Sequence, residues 1–195
     1  MTYSIIGSGK LGTALARQFA RNGIEFGLAN TRGPDTLTAL AQELGKPMIA
    51  QSLQEALKAD IVILAIPFKA HREIGLTISD WKNRVVIDAM NTYGVSPEEL
   101  GDRESTDIVA SAFIGARVVK TFNQLPAALL AKHPEENGGR RVMFLWGRDH
   151  DANTDVVDLV GQLGFAAINL GMIEQGSKLL SLGGPLILQN IIKHP

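Results

Sequence analysis

Three glycines at fixed spacing stand in GSGKLG, residues Gly7–Gly12, directly after the apolar run Tyr3–Ile6 and directly before an amphipathic helical pattern. In a G-x-G-x-x-G segment between a strand and a helix, the first glycine permits the tight turn and the second lets a pyrophosphate approach the backbone. The third lets the helix pack closely on the strand, and the first N–H groups of the helix bind the phosphates. The motif predicts a dinucleotide-binding turn, with an unliganded glycine-rich turn as the alternative, made by Gly7, Ser8, Gly9, Lys10, Leu11 and Gly12.

The loop after the second predicted strand reads Asn30, Thr31 and Arg32. Domains selective for NAD place an Asp or Glu about 20 residues after the glycines, where its carboxylate accepts from the ribose 2′-hydroxyl. No carboxylate stands at this point to repel a 2′-phosphate; Arg32 offers a charged fork to phosphate oxygens, and Asn30 and Thr31 can donate to them. The loop therefore predicts NADP rather than NAD, with an arginine that only faces solvent as the alternative.

Three further turns follow predicted strands, and ligands of open parallel sheets bind beyond the carboxyl ends of the strands. Ala65–Pro67 end one of these strands, and we expect them to lie along the dinucleotide. Asn91 and Asn123 stand in the other two turns, where they are available to the nicotinamide carboxamide. Asn123 and Gln124 are equally suited to cap a helix that begins at Pro126, so both interpretations stay open.

The remaining residue types exclude several kinds of site. The chain has no cysteine, which excludes disulfides, thiolate metal sites and cysteine nucleophiles. Its four histidines show no metal-ligand spacing, and Asp149, Asp151 and Asp155 suit the start of a helix better than a metal site. We therefore expect no metal, and no acid–base or nucleophilic constellation identifies a catalytic residue.

The overall composition limits the classes of partner that we expect the protein to bind. Lys and Arg total 19 and Asp and Glu total 20, a formal net charge of -1 that argues against a nucleic-acid partner. No apolar stretch approaches the roughly 20 residues that span a bilayer. The amino terminus lacks the pattern of a secretion signal. We expect a cytoplasmic protein with no nucleic-acid or membrane partner.

Short apolar runs alternate with helical patterns along the chain, which is typical of βαβ units and of a doubly wound, mainly parallel α/β sheet. We expect one domain over residues 1–195, with the sheet and its helices in residues 1–170 and a helical segment in residues 171–195. In that tail, Ile173–Ile192 has the pattern of two helices broken at Gly183–Pro185, and its apolar half PLILQNII should cover the sheet or a second copy of the chain. Eight strands are predicted, at Tyr3–Ile6, Glu25–Ala29, Pro47–Ala50, Ile61–Ile66, Val85–Ala89, Arg117–Phe122, Arg141–Trp146 and Ala166–Asn169.

Local signals place the helix boundaries. Gly23 should end the first helix, and Pro34 should open a second one. Ser52 and Glu55 form a capping-box pattern for a third. The cluster of Pro, Gly, Glu and Asn in Lys132–Arg140 predicts the least ordered stretch of the chain.

The motifs GSGKLG, NTR, AIPF and KTFNQLPAALLA, with the closing GGPLILQNII, resemble the family of NADPH-dependent deazaflavin-coenzyme reductases. This family includes the NADP oxidoreductases that use factor 420, and the cytosolic domains of six-transmembrane ferric reductases are similar to it. The resemblance implies a Rossmann-like domain whose carboxyl-terminal helices complete the substrate cleft, and a homodimer. It also implies that the pyrophosphate of NADP lies on Ser8–Leu11, the 2′-phosphate on Thr31 and Arg32, and the nicotinamide near Ile66, Pro67 and the Phe122–Pro126 turn, which includes Asn123.

The reaction that the resemblance implies is hydride transfer between nicotinamide C4 and a flat acceptor, a deazaflavin coenzyme (factor 420) or a free flavin. Such a transfer needs alignment at about 3–3.5 Å and exclusion of water more than it needs a proton donor. One alternative is a β-hydroxyacid or imine reductase, but too few residues follow the last predicted strand for the helical domain of those enzymes. Another is a non-catalytic redox sensor that binds NADP, because a sensor and an enzyme share the same cofactor motif.

Overall fold

The computed structural model describes residues 1–101, 103–171 and 176–195. The strands of these residues form one sheet of ten strands in the order β10-β8-β6-β5-β4-β1-β2-β3, with β7 and β9 also paired to β8. Their bounds are β1 (Tyr3–Ile6), β2 (Phe26–Ala29), β3 (Met48–Ala50), β4 (Ile61–Leu64), β5 (Val85–Asp88), β6 (Arg117–Lys120), β7 (Glu135–Glu136), β8 (Gly139–Gly147), β9 (Ala166–Asn169) and β10 (Ile192–Lys193).

Helices cover both faces of this sheet, and short 3-10 helices at Pro34–Leu37 and Phe68–Ala70 precede two of them. The helices in the described residues are α1 (Lys10–Arg21), α2 (Thr38–Leu44), α3 (Leu53–Ala56), α4 (His71–Gly75), α5 (Pro97–Leu100), α6 (Ser105–Ala112), α7 (Ala127–Leu130), α8 (His150–Gln162) and α9 (Gly176–Leu179).

The predicted fold class is confirmed: β1 to β6 are parallel, and β8 runs antiparallel to β6. All eight predicted strands are present, although five of them are one or two residues shorter than predicted and β8 is longer. Strand β1 lies between β2 and β4, so the chain winds away from β1 in both directions. This reversal opens a crevice above the carboxyl ends of β1 and β4, which is where ligands of such sheets bind.

The core lies on both faces of the sheet. Along β4, Ile63 packs with α1 and α8 on one face, whereas Val62 and Leu64 pack with α3, α4 and α6 on the other. All four residues of β4 are buried, which explains why its sequence is a continuous apolar run without polar alternation.

Local helix signals are also confirmed. Gly23 follows the end of α1 with φ of 64°, a left-handed conformation that favours glycine. Ser52 accepts from the Glu55 backbone at 3.3 Å while the Glu55 carboxylate accepts from the Ser52 backbone at 2.8 Å, completing the capping box.

Two expectations about loops and the tail are wrong. Residues 134–141 form an ordered hairpin in which β7 pairs with β8, because Asn137 and Gly138 take the positive φ values that a tight turn needs. In the tail, residues 172–175 lie outside the described residues, and only α9 is helical. The segment PLILQNII is a series of turns that ends in β10, since Leu188 has φ of 64° and donates its N–H to Gln124 O. Leu186 and Ile187 do pack inward.

Candidate functional site

The glycine turn between β1 and α1 is held tightly against its neighbours. Gly7 has φ of 109°, and its N–H donates to Ala29 O at the end of β2 at 2.8 Å. A Cβ at Gly7 would lie 2.3 Å from Ala65 O, and a Cβ at Gly12 would lie 1.8 Å from Gly7 O. The first and third glycines thus have the structural roles that the motif predicts: a tight turn and close packing of helix on strand.

The second glycine faces open space. Nothing lies within 4 Å of the position that a Cβ at Gly9 would take. Gly9 is the N-cap of α1, where no side chain in the described structure supplies a capping bond and the first turn carries no acidic residue. The opening N–H groups of a helix lack intrahelical partners, so this end of α1 can hold a phosphate group in the space above Gly9. Lys10 is exposed beside it.

The loop after β2 is organised by the Asn30 side chain. Its amide Nδ2 donates to Ser8 Oγ at 2.9 Å and lies 3.0 Å from Thr36 Oγ1, while its Oδ1 accepts from the Arg32 backbone N–H at 2.8 Å. Thr31 and Arg32 are exposed. The Asn30 amide is thus bonded within the loop and links it to the glycine turn, and its donation to a phosphate stays a prediction.

A cleft of about 340 Å³ is lined by residues from three of the five predicted segments. This volume lies in the range of small-molecule sites. Lys10, Leu11 and Gly12 lie outside it: Lys10 lines a neighbouring groove, Leu11 packs on the core, and Gly12 is buried against the turn. The cleft is lined by Ile6, Gly7, Ser8, Gly9, Asn30, Thr31, Arg32, Leu53, Ala65, Ile66, Pro67, Ala70, Glu73, Ile74 and Thr77.

Sequence reasoning missed the wall of this cleft that comes from α3, α4 and the 3-10 helix before α4. Leu53, Ala70 and Ile74 lie there. In the sequence they have the pattern of ordinary core positions, so nothing in the local pattern marks them as lining a cleft.

The turns after β5 and β6 meet through a pair of amides. Asn91 Nδ2 donates to Asn123 O at 2.9 Å, and Asn123 Nδ2 donates to Asn91 Oδ1 at 3.0 Å and to Leu180 O at 2.7 Å. Asn91 is half-buried, whereas only 4% of Asn123 is exposed. Asn123 therefore connects the tail to the sheet, and its contact with the nicotinamide stays a prediction. It does not cap a helix, because α7 begins after Pro126 without a side-chain cap.

Phe122 takes part in the turn after β6 through its backbone alone. Its side chain is fully buried in the core, so only its backbone faces the turn, and its φ of 62° is unusual for a bulky residue. Such strained backbone persists where surrounding structure enforces it. Here the neighbouring Gln124 does so: its Oε1 accepts from Phe144 N at 2.7 Å and its Nε2 donates to Val142 O at 3.1 Å.

The described residues contain neither a cluster of metal ligands nor a helix suited to a membrane. No group of three His, Asp or Glu side chains comes together in residues 1–101, 103–171 and 176–195 to hold a metal ion. Asp149 caps α8 by accepting from Ala152 N at 2.7 Å, as its sequence position predicts. Within the same residues, no helix is both long enough and apolar enough to cross a bilayer.

The chain is similar to several proteins of known structure. A hypothetical protein from Sinorhizobium meliloti is 42% identical, with a TM-score of 0.93, and the match covers 99% of this chain and 96% of that one. The chain belongs to the same family as this protein. In addition, residues 2–92 match the family model described as NADP oxidoreductase, coenzyme F420-dependent. That segment contains the glycine turn, the Asn30–Arg32 loop, Ala65–Pro67 and Asn91.

More distant structures share the fold. One described as an F420-dependent NADP reductase from Arthrobacter sp. FB24 is 21% identical, with a TM-score of 0.72, over 99% of this chain and 100% of that one. A reductive aminase from Aspergillus terreus in complex with NADPH and ethyl levulinate is 18% identical, with a TM-score of 0.68. The match covers 93% of this chain but only 57% of the aminase. The search of curated proteins returns no match.

Proposed function

We propose that the chain is an NADP-dependent oxidoreductase that transfers a hydride between NADP(H) and a flat acceptor of the deazaflavin or flavin class. The observation that carries this proposal is the cleft that brings the glycine turn and the exposed Thr31–Arg32 loop together. The family model adds support, because its description names NADP and a deazaflavin coenzyme.

The residues of the cleft fit the charged parts of NADP. Gly9 leaves space at the start of α1 for the pyrophosphate. Arg32 and Thr31 are exposed at the far end of the loop, where they would hold the 2′-phosphate. Arginine suits this role because its planar, permanently charged guanidinium donates two parallel hydrogen bonds to phosphate oxygens.

The nicotinamide end would lie at the carboxyl ends of β4 and β5, beside Ile66, Pro67 and Asn91. When bound, the reduced cofactor supplies a hydride, and the acceptor takes that hydride with one proton from water, so that NADPH, acceptor and H⁺ become NADP⁺ and reduced acceptor. The half-buried Ile66 side chain would limit water at this place. Such a transfer mainly needs alignment of the donor with the acceptor and exclusion of water, and the chain can provide both.

A panel of acceptors tests the proposal. Oxidation of NADPH is followed optically under anaerobic conditions with the deazaflavin factor 420, free flavins, a quinone, a ferric chelate and a cyclic imine. Turnover with the deazaflavin or a flavin, faster with NADPH than with NADH, is the expected result. Turnover with the imine alone would overturn the acceptor class and favour a reductase of another small substrate.

Tight NADPH binding without turnover of any acceptor would contradict the enzyme and favour a redox sensor. Arg32→Ala should weaken NADPH binding, and Arg140→Ala, the same change at an exposed position on β8, is the matched control.

We also propose that the protein is a cytoplasmic homodimer that draws on the NADP(H) pool there. Support for the dimer comes from exposed apolar side chains in the tail, Leu182 at 38%, Leu188 at 65% and Ile191 at 39%. Sedimentation should give about twice the chain mass of 21.0 kDa. A monomer at micromolar concentration would contradict the dimer, and fractionation of cells tests the location.

A further inference from the structure

Two opposite charges are buried where β5 and β6 end. Asp88 Oδ2 lies 2.9 Å from Lys120 Nζ, and the side chains are 0% and 2% exposed. Removing two charges from water costs free energy that the attraction between them often only offsets, so the attraction between Asp88 and Lys120 by itself adds little to stability. Stability alone is therefore a weak reason for this pair.

The ion pair fixes the backbone of Met90, which stands two residues after the end of β5. Lys120 Nζ donates to Met90 O at 2.9 Å, and Met90 N donates to Asp88 Oδ1 at 3.0 Å. Both polar backbone groups of Met90 are thereby bonded to the ion pair. Charge-assisted hydrogen bonds are stronger than neutral ones, so the ion pair sets the direction in which the chain leaves β5.

Asn91 comes next, and it is the partly accessible member of this network. Its side chain is paired with Asn123, which also holds Leu180 O of the tail. Asp88, Met90, Lys120 and Asn123 are all buried. A continuous set of bonds thus runs from the ion pair through Met90 to Asn91, at the edge of the sheet where the nicotinamide would lie.

We propose that Asp88 and Lys120 are positioning residues that hold Asn91 in place for the nicotinamide half of NADP(H). This proposal rests on the proposed function. The two residues do not touch the cofactor; they act through Met90 and Asn91. Their loss should affect the nicotinamide half of the cofactor and leave the binding of its adenosine half unchanged.

The test uses the variants Asp88→Asn and Asp88→Leu/Lys120→Met in the full chain. The double variant replaces the ion pair by apolar side chains and leaves the Met90 N–H and C=O without these partners, so its melting temperature should fall by several degrees. Binding is measured for NADP⁺ and for 2′,5′-ADP, which lacks the nicotinamide. The double variant should bind 2′,5′-ADP as the wild type does, bind NADP⁺ more weakly, and show a kcat that is lower by about tenfold or more.

Asp88→Asn, which keeps the size of the side chain, is used if the double variant does not fold. It should likewise bind NADP⁺ more weakly and show a lower kcat. Leu159→Ala, which removes a fully buried side chain on α8, is the control for lost stability. It should lower the melting temperature without changing the ratio of the two affinities or kcat. If Leu159→Ala shifts the ratio as much as the double variant does, the positioning role is overturned.

A folded double variant with an unchanged affinity ratio and unchanged kcat would overturn the positioning role alone. Wild-type protein that binds neither 2′,5′-ADP nor NADP⁺ would overturn the proposed function as well. The two failures are therefore distinguishable in one set of titrations.

Discussion

At the residue scale, the hydrogen bonds of the Asn30 side chain hold the Asn30–Arg32 loop in place. Its three hydrogen-bonding contacts join Ser8 of the glycine turn, Thr36 and the backbone of Arg32. Because these bonds occupy the Asn30 amide, Thr31 and Arg32 remain as the side chains open to a 2′-phosphate. Under the proposed function, Asn30 would act on cofactor preference by keeping Arg32 beside the glycine turn.

Asn30→Asp should reduce the preference for NADPH. An aspartate at this position can still accept from the Arg32 N–H and from the hydroxyls of Ser8 and Thr36, so the loop should keep its shape. It adds a negative charge beside the 2′-phosphate, and like charges at such separations cost enough to weaken NADPH binding by about tenfold. Fluorescence titration with NADPH and NADH measures the change.

Asn169→Asp is the matched control, since Asn169 is exposed at the end of β9 and its Oδ1 accepts from Gly171 N at 2.8 Å. It should leave both dissociation constants unchanged. An Asn30→Asp variant with wild-type affinity for NADPH would show that the loop does not hold the 2′-phosphate.

The sequence predicts some of these residues well and others poorly. The roles of Gly7 and Gly12 follow from the motif, because the strand–turn–helix geometry leaves no room for a Cβ at either position. The bonds of Asn30 and Asn123 could not be predicted, since their partners, Ser8 for one and Leu180 for the other, are brought close only by the tertiary fold. The sequence does contain a signal for the Asp88–Lys120 ion pair, because two apolar runs, VVID and VVK, end in opposite charges.

At the element scale, the start of β1 is fastened to the start of β4 by one carboxylate. Asp60 Oδ2 accepts from Thr2 N at 2.7 Å and from Thr2 Oγ1 at 3.0 Å. The backbone hydrogen bond from Thr2 is the largest cause that lowers the pKa of Asp60 below its usual value. A carboxyl with a lowered pKa stabilises the folded state above its unfolded pKa of about 3.9, and this stabilisation is lost as pH falls through the folded pKa.

Asp60→Asn should therefore lower the melting temperature slightly near neutral pH. The difference from the wild type should shrink in acid, at about pH 3 and below, where Asp60 becomes protonated. Thermal denaturation at both pH values measures it, with Asp158→Asn on the exposed face of α8 as control. A difference that is the same at neutral and acid pH would show that the carboxylate charge has no part in this contact.

The tail shows why an element can be predicted wrongly. PLILQNII is apolar enough for a buried helix, but a short apolar run does not distinguish a helix from buried irregular or extended chain. Hydrogen bonds to distant parts of the chain determine the conformation of this segment. Leu188 N donates to Gln124 O at 2.7 Å. Val142 N donates to Ile191 O at 2.8 Å, and the Arg141 guanidinium donates to Asn190. The parallel strands that are buried on both faces could be predicted, because each of them is a continuous apolar run in the sequence.

At the scale of the whole molecule, the topology puts every proposed cofactor contact at one edge of the sheet. The parallel strands β1, β2, β4 and β5 all end there, and the segments that follow β1, β2 and β4 line one cleft. The amino-terminal half of the chain supplies these contacts, and the tail reaches the same edge through Leu180. This arrangement suits a cofactor held by the first half and an acceptor bounded by the second.

The preference of the folded protein for NADPH over NADH tests the central claim most directly. Equilibrium titrations of the wild type and of Arg32→Ala with both nucleotides give four dissociation constants. We predict that the wild type binds NADPH at least about tenfold more tightly than NADH, and that Arg32→Ala removes most of this difference. Equal affinities of the wild type for the two nucleotides, or a preference that Arg32→Ala leaves unchanged, would contradict the assignment of this cleft to NADP.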